Sequence, residues 1–351
     1  MNRSDTAAIA AMFAALCLAL PNCPLMAQDK NVSIEPYRLP LSDRSITAKA
    51  KALKDADKLL GRDKILAQLK SPEPATLKLP RVSTRPLKPR DIAARARKSL
   101  VRIGWFYLCP RCTKWHLNVA GGYAITADGA VATCYHVLAA KSTAMREGYL
   151  VAINSDNDVL PVTAVLARDS FMDVGIVRVA GKSPAPLALN DRVAPGDSVY
   201  LYSDPMRVAG YFSTGMVNRF FWRRGARPTN PATLRGARAF RMHVSTDWAP
   251  GSSGAPVLDA FGNAVGHVAI ISSLKKSTRR PAPKPSAKPS QEPTTKDADG
   301  DDHEHKPLAP TTSSTTMITL HEAVPARAVK LLAESLVTKA KKSPTSDPAA
   351  R

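Results

Sequence analysis

Gly251-Ser252-Ser253-Gly254-Ala255-Pro256 runs directly into the apolar pair Val257-Leu258. Glycines around a serine let the backbone turn tightly, so the hydroxyl stands clear and nearby N–H groups converge on one point. An attacking hydroxyl and the oxyanion it creates need that arrangement. Such a loop alone is an ordinary turn; its weight comes from two residues upstream. His136 lies in Ala132-Thr133-Cys134-Tyr135-His136-Val137-Leu138, after an apolar strand pattern from Tyr123 to Thr126 and an Asp128-Gly129 hairpin turn. Asp173 opens the apolar strand Val174-Gly175-Ile176-Val177-Arg178-Val179. Singly, the histidine reads as a packed or surface residue and the acid as a turn residue. In the order His, Asp, Ser, each in a fitting context, they read as a set.

At these positions the chain resembles the chymotrypsin-like serine proteases, and within them the bacterial HtrA-like (Deg-type) branch. Gly122-Tyr123, Asp128-Gly129 and Thr133 to Val137 match that branch's glycine–aromatic strand, D-G turn and T-x-x-H-V. Asp173 to Arg178 match its D-[VIL]-[AG]-[VIL]-[VIL]-[KR]. Thr246-Asp247 and Pro250 to Pro256 match its T-D and P-G-N-S-G-G-P, with Ser252 and Ala255 as departures. The resemblance covers residues 91–337. It implies an all-β, chymotrypsin-like fold of two antiparallel six-stranded β-barrels with a closing C-terminal helix. His136 and Asp173 would lie on the first barrel and Ser253 on the second, across a cleft.

The chemistry implied is acyl transfer. His136 takes the proton of Ser253 as it attacks a carbonyl and returns it to the leaving amine; Asp173 holds the imidazole tautomer. The N–H groups of Gly251 and Ser253 bind the oxyanion. Two alignments of the specificity pocket remain open. Asp247, six residues before Ser253, is the base of a Lys/Arg pocket in a trypsin-like alignment. In the HtrA-like alignment it is structural, and Trp248 with Gly266, His267 and Val268 shapes a pocket for small aliphatic side chains. Those relatives usually carry a PDZ domain after the closing helix, where this sequence has a short polar tail, 338–351.

Length and composition set the frame. The 351 residues are 44% hydrophobic, enough for one substantial core with tails. Lys and Arg number 50 against 29 Asp and Glu, a formal net charge of +21. That excess fits an anionic envelope surface as a partner, although plain solubility is the preferred reading. No nucleic-acid fold signature appears, so no specific nucleic acid is expected. Residues 1–27 read as a secretory signal peptide: Arg3, an apolar run from Ala7 to Leu20, then Leu25-Met26-Ala27 as a cleavage site. Export to the periplasm, envelope or medium follows. Residues 28–90 read as a basic, proline-rich arm or linker with a helix in it, and 274–316 as a disordered low-complexity insertion within a late hairpin. Met317 to Leu320 reads as a strand and Arg327 to Leu336 as the closing helix.

The exported chain keeps Cys109, Cys112 and Cys134. Three readings of Cys109-Pro110-Arg111-Cys112 compete. It closes a small disulfide; it is part of a zinc site with His116, lacking an evident fourth ligand; or it is redox-active, without the usual βαβ context. The disulfide is preferred, so no cofactor is expected. Cys134 is expected to be a buried packing thiol. Functionally the sequence predicts an exported serine endopeptidase acting on proteins or peptides. The alternative is a catalytically idle, protease-shaped scaffold of the envelope.

Overall fold

The computed structural model describes residues 43–139, 145–223, 226, 230–278 and 313–342. The expected signal peptide and most of the expected insertion lie outside them. Twelve strands form two closed barrels. The first holds β1 (Leu100–Leu108), β2 (Trp115–Ala124), β3 (Ala130–Thr133), β4 (Glu147–Ile153), β5 (Val159–Asp169) and β6 (Val174–Val179), joined in the order β1-β2-β3-β6-β5-β4. The second holds β7 (Ser198–Ser203), β8 (Tyr211–Trp222), β9 (Phe240–Val244), β10 (Pro256–Leu258), β11 (Ala264–Thr278) and β12 (Ser313–Pro325), joined in the order β10-β11-β12-β9-β8-β7. Every ladder is antiparallel. Closure pairs the barrel strands on both sides, except in the outer β11–β12 hairpin, where residues 270–278 and 313–320 pair only with each other.

The Asp128-Gly129 turn joins β2 to β3 as its sequence predicts. Gly129 has φ +87°, and the Thr126 hydroxyl accepts from Ala130 N at 2.9 Å. One hydrophobic cluster runs through both barrels, including Tyr123 and Ile176 from the first and Leu201 and Met242 from the second. The closing helix, Ala326–Lys342, buries Val329, Leu332 and Leu336 in that same cluster.

Residues 43–90 correct the expectation of a loose arm. They form helix α1 (Asp43–Asp55), helix α2 (Arg62–Lys70) and an extended run into helix α3 (Pro89–Ser99). Each helix buries one i, i+4 pair against the barrels: Ile46 and Ala50, Ile65 and Leu69, Ile92 and Ala96. The prolines between α2 and α3 forbid helix, but an extended segment satisfies its N–H groups across space. Glu73 N donates to Val165 O and Leu87 N to Ala260 O, both at 2.9 Å. Asn263 pairs with the backbone of Ser83 in both directions, at 2.8 and 2.9 Å.

The late hairpin also extends further than expected. β11 and β12 stay paired out to Thr278↔Ser313, so residues 274–278 and 313–316 are strand, not disordered chain. Among the described residues no helix is long and apolar enough to cross a membrane.

Candidate active site

β3 ends in a one-turn helix, α4 (Tyr135–Leu138), which turns the His136 ring outward. Leu138 of that turn is fully buried against β6, and the space comes from Gly175, where a Cβ would lie 2.4 Å from Leu138 Cδ1. Asp173 stands just before β6 with φ +59°. Its carboxylate accepts from the ring of His136 at Nδ1, 2.9 Å to Oδ2 and 3.1 Å to Oδ1, and from the backbone N–H of His136 at 3.0 Å. An ionised carboxylate only accepts, so Nδ1 is the ring nitrogen that donates to it, and in the neutral tautomer this leaves the lone pair on Nε2. Burial pushes the Asp173 carboxyl up; the hydrogen bonds and charge of His136 outweigh it, leaving the group below the usual carboxylate range.

Two further residues brace Asp173 from inside. His267 is fully buried, and burial pushes its pKa down to about 4, so the ring is neutral at neutral pH. Its Nε2 lies 3.3 Å from Asp173 O. Arg241, from β9 of the second barrel, reaches the loop that precedes Asp173. Its Nη2 donates to Phe171 O at 2.9 Å and Met172 O at 3.0 Å. Glu322 of β12 lies 3.2 Å from its Nε. Burial pushes Glu322 up by more than the charge of Arg241 pulls it down.

The serine loop is built on its glycines. Gly251 has φ +103°, and a Cβ there would lie 2.9 Å from Asp204 O. Gly254 has φ +82°, and a Cβ would lie 2.3 Å from Gly121 O and 3.1 Å from Cys134 N. No other residue type fits that approach, which docks Ser253 beside the chain segment carrying His136. Gly121 N donates to Ser253 O at 2.7 Å. Of the adjacent serines, Ser252 is fully buried, with its hydroxyl 3.0 Å from that of Ser203. Ser253 is half-buried, and its hydroxyl makes no hydrogen bond, to His136 or otherwise, among the described residues. The N–H groups of Gly251 and Ser253 likewise donate to no protein acceptor among them. Ala255 sits opposite Gly121, where a Cβ would come within 2.8 Å of it, and its own φ is not positive.

A cleft of about 340 Å³ opens beside Gly251, lined by Leu117, Val119 and Gly121 of β2 and by the half-buried Arg102–Asp204 ion pair. The expected specificity residues stand elsewhere. Asp247 is exposed, within 3.4 Å of the Tyr211 hydroxyl, so it does not form the floor of a closed pocket. Trp248 is buried against His321, with ring centroids 4.7 Å apart. Gly266, His267 and Val268 are all buried, and Val268 accepts from Gly254 N at 2.8 Å and from the Cys134 thiol at 3.1 Å. These residues support the loop from behind and do not line an open wall. Cys109 and Cys112 are separate thiols, not the expected disulfide.

Arg241 and Ser252 escaped the sequence reading. A lone arginine within a basic stretch carries no local mark of burial, and two neighbouring serines look alike until one is seen to be held.

Residues 120–266 match the family model of the trypsin-like peptidase domain. The fold is similar to that of the HtrA-type protease AlgW, solved with a decapeptide, at 13% identity and a TM-score of 0.49, covering 72% of this chain and 68% of that one. A comparison with curated sequences gave no match. Residues 120–266 thus carry a trypsin-like peptidase domain, set within the two closed six-stranded barrels, and mark the chain as a protease.

Proposed function

We propose that the protein is an exported endopeptidase of the HtrA-like branch that cleaves peptide bonds with Ser253, His136 and Asp173. The observation that carries this reading is the two-point grip of Asp173 on His136, which leaves Nε2 free of Asp173, together with the close approach of the serine loop at Gly254 to Thr133 and Cys134, just before His136. Nε2 takes the Ser253 proton as Oγ bonds to the substrate carbonyl carbon. The carbonyl oxygen becomes the oxyanion, held by the N–H groups of Gly251 and Ser253. Collapse expels the amine with the proton from Nε2, and water repeats the sequence to release the acid. One such N–H donor is worth roughly 2.7–4 kcal/mol in the transition state. The cleft beside Gly251 would receive the peptide, and the neutral His267 and buried Arg241 would hold Asp173 in place.

The second reading is a catalytically idle scaffold. The observation in its favour is that the Ser253 hydroxyl makes no hydrogen bond to His136, although such contacts commonly tighten only when substrate binds. Profiling with a peptide library separates the two. Cleavage by the wild-type chain and none by Ser253→Ala supports the peptidase. No cleavage by either across pH 5–9 supports the scaffold.

A further inference from the structure

We propose that Cys109, Cys112 and His116 form a zinc site at the tip of the β1–β2 hairpin, with water as the fourth ligand. This goes beyond the peptidase reading and does not depend on it. The two sulfurs and a ring nitrogen of His116 all lie within 4.8 Å of one another. Cys112 Sγ is 3.1 Å from His116 Nε2. A tetrahedral zinc with bonds of about 2.3 Å to sulfur and about 2.0–2.1 Å to nitrogen sets its ligand atoms roughly 3.5–3.8 Å apart. The cluster therefore needs only small side-chain rotations to accept the ion.

The ligands are held in place by their surroundings. β1 and β2 pair in register up to Leu108↔Trp115, so the hairpin brings the cysteine loop back over His116. The His116 ring stacks on Tyr107, centroids 5.5 Å apart, which fixes the plane from which Nε2 points. Within the C-x-x-C turn the N–H of Arg111 donates to Cys109 Sγ at 3.4 Å, presenting that sulfur as an acceptor. All three residues are half-buried, which leaves a solvent side for the water ligand. Two soft sulfurs and an imidazole select zinc over magnesium or calcium. Binding exchanges two thiol protons, released to solvent, for two metal–sulfur bonds, with no change of oxidation state. A disulfide would use the same thiols but gives His116 no part.

β2 continues from His116 to Gly121, whose N–H holds the Ser253 carbonyl. Metal at the tip thus pins the far end of the strand that supports the serine loop, and its expected effect is a rise in thermal midpoint.

The test uses the full chain, reduced, incubated with zinc and freed of excess. Elemental analysis is expected to find one zinc per chain, and none in the Cys109→Ser/Cys112→Ser variant. His116→Ala keeps both thiols and should lose the ion to a chromophoric chelator that the wild type resists. Cobalt(II) bound to the unaltered chain should show thiolate charge-transfer absorption, a readout independent of any variant's folding and of peptidase activity. Absence of metal and of the cobalt spectrum overturns the proposal. So does zinc retention unchanged in both variants, or a Cys109–Cys112 disulfide in protein isolated with zinc present and no reductant.

Discussion

Ser252 and Ser253 are neighbours in sequence, and only Ser252 has its hydroxyl already held. Ser252→Ala leaves the buried Ser203 hydroxyl without a partner, which costs about 1–3 kcal/mol of stability; it should keep most peptidase activity. Ser253→Ala should lose activity and keep its stability. Denaturation and turnover measured on the two variants read this exchange directly. Asp173→Asn should lower turnover by roughly ten-thousand-fold, because a side-chain amide turns the imidazole to the wrong tautomer. His267 makes a pH prediction. Its folded pKa, about 4, lies below the 6.5 of the free side chain, so between those values the unfolded chain binds a proton that the folded one does not. Stability therefore falls as pH drops through that window, by about 3 kcal/mol in all. Thermal midpoints of His267→Leu should fall less steeply over the same range; parallel slopes would contradict the account.

The elements differ in how much of them the sequence discloses. β6 is found where its run of Val and Ile lies, and the β2–β3 turn where Asp128-Gly129 lies, because both signals are local. The proposed catalytic residues could be named from the sequence, as each lies in a short, distinctive setting. A helix within the arm was legible, but its division into α1 and α2 and their packing on the barrels were not, since each buries only an i, i+4 pair, too small a face to stand out. The extended run after them was hidden because its hydrogen-bond partners are as far away as Asn263. The pocket residues were misplaced for a related reason: whether a strand residue faces a cleft or a core is set by the opposite barrel. The integral role of α2 is measurable. Ile65→Ala should cost about 2–5 kcal/mol, whereas the exposed Lys64→Ala in the same helix should fall within about 0.5 kcal/mol of wild type. Equal, small effects in denaturant titrations would restore the loose-arm reading.

At the scale of the molecule, the barrels are joined by a shared core and by Arg241. The guanidinium comes from the second barrel and closes on carbonyls beside Asp173 in the first. Arg241→Met leaves the Met172 carbonyl and Glu322 without that partner, while Phe171 O keeps the Arg223 guanidinium, and should cost about 3–5 kcal/mol. The pair Arg241→Met/Glu322→Leu should recover much of that stability. Turnover should stay low in both, because neither restores the hold on Phe171 and Met172; recovery of turnover with stability would reduce Arg241 to a packing residue.

In this mechanism one hydroxyl, that of Ser253, is activated by one imidazole, that of His136. A fluorophosphonate reacted with the wild-type chain and mapped by mass spectrometry should give a single adduct on Ser253, absent from His136→Ala. An adduct on another residue, or none on a folded wild-type chain, would contradict it.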